Sequence, residues 1–385
     1  MKRIIVTMFV ILLVSMGGCY NLVEINDAAI AQNFSLDLLP NGELAFYAQT
    51  TEPVPRAETG EAQPLRNITL MGTGNTAAEA ARNIFLHFPR VLLWIHSNTM
   101  FIGEDLARED LAFMTDFYIR NRNVRLQAYV FMARDAKIQE LLEVMNNSAF
   151  GSNSARSIVR QIEIQEKDLG YYVPLQALQL LEYLVTPGIE PAIPQVVINK
   201  EGGQERIRLQ GMAVIKQNRV IGSLDETESR GYHYLQARKK MGGLVVIDSP
   251  TPESASVTME ITNCTTKTRP VIQADQLSMR IAIECELQYL EEVGTSRLYS
   301  PEHKRSLEDM ASRQIEQQVQ ACINKAQALN SDILGWGLTT ARYQPDLWAR
   351  ISSDWDERFP DIQNTIEVKA TLLKDGLSQT SFEFQ

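Results

Sequence analysis

The stretch Gly72-Thr73-Gly74-Asn75-Thr76-Ala77 has the small-residue spacing of a phosphate-cradling turn. It follows an apolar strand and opens a helix, the setting of a dinucleotide-binding fingerprint. The acidic residue that would hold a ribose is missing, because the position ~20 residues on falls near Trp94 inside an apolar run. A short loop with Asn75 or Thr76 as helix cap accounts for the same residues, and is the expected reading. Hydrolase chemistry finds no footing: there is no S-x-x-K, G-x-S-x-G or H-E-x-x-H. The pairs Glu291-Glu292 and Asp354/Asp356 read as solvated surface unless a cleft lies between them. His87, His96, His233 and His303 lack metal-ligand spacing. No catalytic, cofactor-binding or metal-ligating residue is therefore assigned.

Thiol chemistry is the better lead. Lys2 and Arg3 precede an apolar run from Ile4 to Val14, and Ser15-Met16-Gly17-Gly18-Cys19 comes next. A basic start, a short apolar centre and small residues at the cleavage point define an export signal. The run is shorter than the roughly 20 residues a transmembrane helix requires. The end resembles the lipobox of bacterial lipoproteins, with Met16 in place of the usual Leu. Cys19 would then take a diacylglyceryl group carrying fatty acyl chains such as palmitate, and cleavage would occur before it. Two acyl chains give stable membrane anchoring where one does not. Cys264, Cys285 and Cys322 are expected as buried thiols, with the first two, both in strand-like runs, the pair to test as a disulfide.

The 385 residues carry a formal net charge of -10, more negative once Lys2 and Arg3 leave with the signal, which argues against a nucleic-acid partner. Such a length predicts two or three domains. Ile25, Ala29, Ile30 and Phe34 have roughly helical spacing. Glu104 to Arg120, Asp135 to Met145, Ser154 to Lys167 and Pro174 to Leu184 read as helices, and Val124 to Met132 as a strand. Pro187, Gly188, Pro191 and Pro194 mark a domain limit. Beyond it come strands at Gln195 to Asn199, Glu205 to Lys216 and Arg219 to Leu224, the last two forming a hairpin at Gln217-Asn218. Further strands are expected at Leu244 to Asp248, Val257 to Asn263 and Met279 to Leu290.

A long helix, Glu302 to Leu329, is apolar on one face. Another starts at Pro345 and places Leu347, Trp348, Ile351 and Trp355 together; a final strand covers Thr365 to Leu372. The class is α+β, with three domains in series after a signal peptide at 1–18: an N-terminal α/β domain at 19–194, a middle β-rich domain at 195–250 and a C-terminal α+β domain at 251–385. Trp348 and Trp355 are expected to pack in a core. The turn Gly335-Trp336-Gly337 offers either a special backbone conformation or an exposed aromatic anchor.

The stretch from Asn324 to Gly376 resembles the Ger(x)C family of spore germination lipoproteins. It carries Asp332-Ile333-Leu334-Gly335-Trp336-Gly337, then Pro345 to Trp348, then Trp355 to Phe359, in the family's order. Cys19, Tyr20, Glu24, Ile25 and Asp37 are similar to the family's lipid cysteine and the residues after it, with Tyr20 for Trp and Asn33 for Gly. Leu111 to Arg120 with Val124 to Met132, Val220-Ile221-Gly222-Ser223-Leu224 with Glu228 to Gly231, and Thr76, Glu79 and Ala80 extend the likeness over nearly the whole mature chain. The resemblance implies a non-enzymatic receptor subunit, lipid-anchored through Cys19 on the outer face of the inner spore membrane. It would work beside membrane-embedded A and B subunits of a nutrient germinant receptor. Glu24, Trp336, Trp348 and Trp355 are then candidate partner-contact or motif residues. A solute-binding lipoprotein of a transporter is the alternative, and a cell-wall enzyme comes third.

Overall fold

The computed structural model describes residues 24, 27–53, 65–121, 124–147, 154–237, 241–249, 254–273, 276–294 and 301–373. Cys19 and the rest of the signal lie outside these residues.

The chain builds one large mixed sheet, one smaller sheet and a two-stranded pair, which bears out the α+β class. After β1 (Ala28–Ile30), the strands β2 (Asn33–Leu38), β3 (Leu44–Pro53) and β4 (Leu65–Gly74) form an antiparallel meander. The helical spacing read through Ala29, Ile30 and Phe34 is therefore corrected to strand, Ile25 lying outside the described residues. The residues of β2 alternate, Asn33, Ser35 and Asp37 against Phe34, Leu36 and Leu38, yet five consecutive ones are buried, so the polar face is covered as well as the apolar one.

Helix α1 (Ala77–Asn83) comes after β4, and β5 (Val91–Leu93) pairs in parallel with β1. Then β6 (Thr99–Ile102) and β7 (Tyr129–Ala133) join β2 in parallel. Between them, the helix expected over Glu104 to Arg120 divides into α2 (Glu104–Glu109) and α3 (Ala112–Arg120). Three more helices, α4 (Ile138–Asn146), α5 (Ser154–Ile164) and α6 (Ala177–Val185), lead to β8 (Ala192–Glu201), β9 (Gln204–Lys216) and β10 (Arg219–Leu224).

The resulting order is β10-β9-β8-β7-β6-β2-β3-β4. Period-two alternation sends Phe101 and Phe131 towards α4 and α5, where they meet Ile138, Leu141 and Ile158. It sends Met100, Ile102, Val130 and Met132 the other way, onto Met114, Phe117 and Leu180. A polar row crosses the first of these faces, with Thr99, Asn33, Gln49 and Thr69 at matching register. Gln49 Nε2 donates to Asn146 Oδ1 at 2.8 Å and to the Leu142 carbonyl at 3.1 Å, tying α4 to the row. Beside it, Asp37 accepts from the Ile138 N–H at 3.3 Å, and burial raises its carboxyl above the usual range.

The limit expected between 194 and 195 falls inside β8, whose Gln195 and Val196 pair with β7. Residues 195–224 thus complete the N-terminal sheet instead of forming a middle domain, because the buried edge of β7 needs hydrogen-bond partners.

Helix α7 (Glu226–Leu235) opens on a capping box between Asp225 and Glu228. The second sheet runs β11 (Leu244–Asp248), β12 (Ser254–Gln273), β13 (Gln276–Gly294) and β14 (Gln363–Leu372) in that order. Its β12–β13 hairpin is far longer than the sequence suggested. Helix α8 (Pro301–Ala328) lies across this sheet, with Leu307, Ile315, Val319, Cys322 and Ile323 packed on Met259, Ile261, Ile281 and Ile283. Gly231 lets α7 approach α8, since a Cβ there would sit 2.0 Å from the Gln318 carbonyl oxygen.

Cys264 and Cys285 face each other in the β12–β13 register and form a disulfide, with Cα atoms 4.2 Å apart. This corrects the expectation of three free thiols: the strands are paired here, which brings the two side chains together. Cys322 is free and buried.

Candidate functional site: a clasp between the two halves

Helix α8 ends in a turn that places Asp332 in the interior. Its two carboxylate oxygens are shared among three donors. Oδ1 accepts from the Trp336 N–H at 2.9 Å, and Oδ2 accepts from the Gly337 N–H at 2.8 Å and from the Trp355 indole Nε1 at 3.1 Å. Burial pushes the carboxyl up to about 7, although these N–H groups pull it down. Gly335 adopts φ 67°, a left-handed conformation suited to glycine, and so starts α9 (Trp336–Tyr343).

The aromatic residues fill the space under this turn. Trp336 is 1% exposed and meets the Phe359 ring edge-on at 5.7 Å. Burial excludes the exposed-anchor reading of Trp336. The helix expected from Pro345 stops as α10 (Pro345–Ile351); a 3-10 turn at Ser352–Asp354 precedes α11 (Trp355–Arg358). Trp348 and Trp355 nevertheless touch, their ring centres 5.1 Å apart. Trp355 is buried, while Trp348 is partly so.

The other half of the clasp comes from the Pro- and Gly-rich segment after α6. The Gly188 carbonyl accepts from the Leu338 N–H at 2.7 Å, and the Asp332 carbonyl accepts from the Glu190 N–H at 3.0 Å. Gly188 has φ 81°, and a Cβ there would lie 2.7 Å from the Gly337 carbonyl carbon. The β9–β10 turn adds an ion pair, Lys216 Nζ to Asp356 Oδ1 at 2.6 Å, and Gln217 Nε2 donates to Asp356 Oδ2 at 3.3 Å. The Gln217 N–H also donates to Glu190 Oε1 at 3.3 Å, and burial raises the Glu190 carboxyl.

A cleft of about 450 Å³ runs between these parts, lined among others by Thr186, Glu190, Lys216, Trp348, Ser352 and Asp356. Lys216 is the basic side chain among its lining residues, and Asp356 pairs with it. Asp354 pairs with Arg358 and Asp356 with Lys216, so these two acids do not act as a carboxylate pair. What the arrangement does physically is hold the helical cluster of the C-terminal half against the N-terminal sheet.

Of the residues singled out by sequence, the structure joins Trp336, Trp348 and Trp355 around Asp332. Glu24 belongs instead to the lead-in to β1, where its carbonyl accepts from the Asp27 N–H at 2.9 Å. Sequence reasoning misses Gly188, Glu190 and Lys216; the Pro187-Gly188 signal is present but reads only as a boundary. The Gly72 turn is a helix entry. Thr76 caps α1 by accepting from the Glu79 N–H at 3.2 Å, and a Cβ on Gly72 would lie 2.1 Å from the Ala80 carbonyl oxygen. Those glycines serve close helix-to-strand packing. Among the described residues, no three His, Cys, Asp or Glu side chains converge as metal ligands, and no helix is long and apolar enough to cross a membrane.

Fold and clasp together define a multidomain α+β protein whose halves are joined by a buried Asp-Trp turn. A family model described as "Spore germination protein N-terminal domain" matches residues 21–198, and one described as "Spore germination B3/ GerAC like, C-terminal" matches residues 210–376. The chain belongs to this Ger(x)C spore germination family.

It is similar to spore germination protein KC of Bacillus subtilis (strain 168), 20% identical over 406 residues that cover 100% of this chain and 98% of the relative. Spore germination protein B3 of the same organism is 20% identical over 374 residues, covering 95% and 96% of the two chains. The crystal structure of the GerBC protein superimposes with a TM-score of 0.58 at 17% identity, over 89% of this chain and 97% of that one. That likeness shows a shared fold.

Proposed function

We propose that this protein is a non-catalytic, lipid-anchored subunit of a spore nutrient germinant receptor. It acts as a scaffold beside membrane-embedded A and B subunits on the outer face of the inner spore membrane. The observation that carries the reading is the family match along both halves, on a chain whose Cys19 comes after an export signal and two glycines. The Cys264–Cys285 disulfide supports it, because such bonds persist in oxidising compartments outside the cytoplasm.

Replacing Cys19 with Ala should release the protein from spore membranes and abolish the nutrient response of a strain relying on this receptor. Full membrane retention of that variant would overturn the anchor. The cleft at Lys216 and Asp356 gives the solute-binding reading a foothold. Calorimetry of the full chain with amino acids and sugars separates the two, since tight binding without partner subunits favours a transporter lipoprotein.

A further inference from the structure

A cluster of exposed apolar side chains surrounds the point where the chain leaves the N-terminal segment. Ile30 is 54% exposed, Phe85 42%, Leu86 75%, Val91 45% and Ile95 57%. Single exposed apolar residues are ordinary, but a run of them around one small feature is not. The feature is the parallel pair β1–β5, in register from Ala28↔Val91 to Ile30↔Leu93. Ala29 and Leu92 are buried on its inner side, so alternation turns Ile30 and Val91 outwards. Short 3-10 turns at Ile84–Leu86 and Trp94–His96 bracket β5 and supply Phe85, Leu86 and Ile95.

Charge separates this region from the rest of an acidic chain. From Ala80 to Gly103 there is no Asp or Glu, while Arg82, His87, Arg90 and His96 accompany the apolar residues. Glu24, Asp27 and Glu79 stand at its margins. Apolar and aromatic side chains interspersed with basic ones, in a stretch free of acids, are the composition of a surface that sits at the headgroup boundary of an anionic bilayer. Position agrees, because β1 comes so soon after Cys19 that even a fully extended connection reaches at most about 30 Å.

We infer that the patch of Ile30, Phe85, Leu86, Val91 and Ile95 rests on the anionic lipid surface itself. It thereby fixes the orientation of a body that the anchor alone would leave free to swivel. The inference rests on the lipid-anchor reading for its location, and on the exposed residues for its contact.

The test uses the full lipidated chain carrying Leu86→Cys, labelled with an environment-sensitive fluorophore, on vesicles of phosphatidylcholine with or without phosphatidylglycerol. Cys322 is buried and Cys264 is paired with Cys285, so the added thiol takes the label. A parallel label at Ile272→Cys, an exposed position on the β12–β13 hairpin of the second sheet, supplies the comparison. Co-flotation of the chain, lost in Cys19→Ser, checks the anchor separately.

The expected result is a blue-shifted Leu86 label, several-fold less accessible to iodide than the Ile272 label and more so on the anionic vesicles. A chain that co-floats while the two labels quench equally would overturn the patch and leave the anchor standing. Protection that appears only when membrane-embedded partner subunits are present would overturn the lipid assignment in favour of a protein contact. A wild-type chain that fails to co-float would overturn the anchor and the orientation together.

Discussion

The Trp355 indole donates to Asp332 Oδ2 across 23 residues of sequence, inside the core. That bond draws α11 onto the end of α8. It also makes the Asp332 carboxyl a shared acceptor for three donors on two pieces of chain, the start of α9 and Trp355.

Asp332→Asn should destabilise the protein by about 2 to 4 kcal/mol, since an amide has one acceptor oxygen and turns an N–H group towards existing donors. Urea unfolding followed by tryptophan fluorescence measures this. A loss below half of that range would mean the clasp tolerates an unpaired donor.

The same residue sets a pH dependence. Its folded-state pKa of about 7 lies above the ordinary 3.8, so the folded protein holds the extra proton between those values. Stability from this group is present in full below the lower value and is lost as pH rises towards the upper one, by on the order of a few kcal/mol. His233 works in the opposite direction, its pKa lowered by burial to about 4. Comparing wild type with Asp332→Asn at pH 5 and pH 8 cancels the histidine. The wild-type advantage should be larger at pH 5.

Gly188→Ala should weaken the contact between the halves well beyond the about 1 to 2 kcal/mol that a left-handed backbone costs a residue with a Cβ. Gly42→Ala supplies the comparison, having φ 84° and no neighbour within 4 Å of the added carbon. Equal melting temperatures for the two variants would remove the close approach of Gly188 to Gly337 as an energetic factor.

The disulfide closes a 21-residue separation, for which chain-entropy arguments give about 3 kcal/mol. The Cys264→Ala/Cys285→Ala double variant should melt several degrees lower. In the native protein Cys322 should not react with maleimide, because it is buried and burial raises its thiol above the usual pKa. Unfolding without reductant should then release one reactive thiol.

Local patterns were legible wherever one face of an element stays polar. The stripe of α8 and the β9–β10 hairpin both emerge from periodicity and turn residues. Strand β2 alternates in sequence, but the helical spacing of Ala29, Ile30 and Phe34 overlapped that signal, and the burial of Asn33, Ser35 and Asp37 leaves no mark in the pattern. The sequence pattern of Val124 to Met132 overran the strand, which begins at Tyr129 and is buried on both faces. The family turn was visible, and its placement was not. That Trp336 lies inside depends on Gly188 and Glu190, more than a hundred residues earlier, which no local rule connects to it.

The placement of β8 to β10 bears on how the protein can be divided in the laboratory. A fragment ending at residue 194 would strip the partner from β7 and leave a bare, apolar strand edge, the usual seed of misassembly. A fragment beginning there would carry α7 and the β9–β10 hairpin without the sheet that seats them. Truncations that respect this fold keep residues 27–224 together, and phenotypes of shorter deletions report misfolding before they report the loss of a contact.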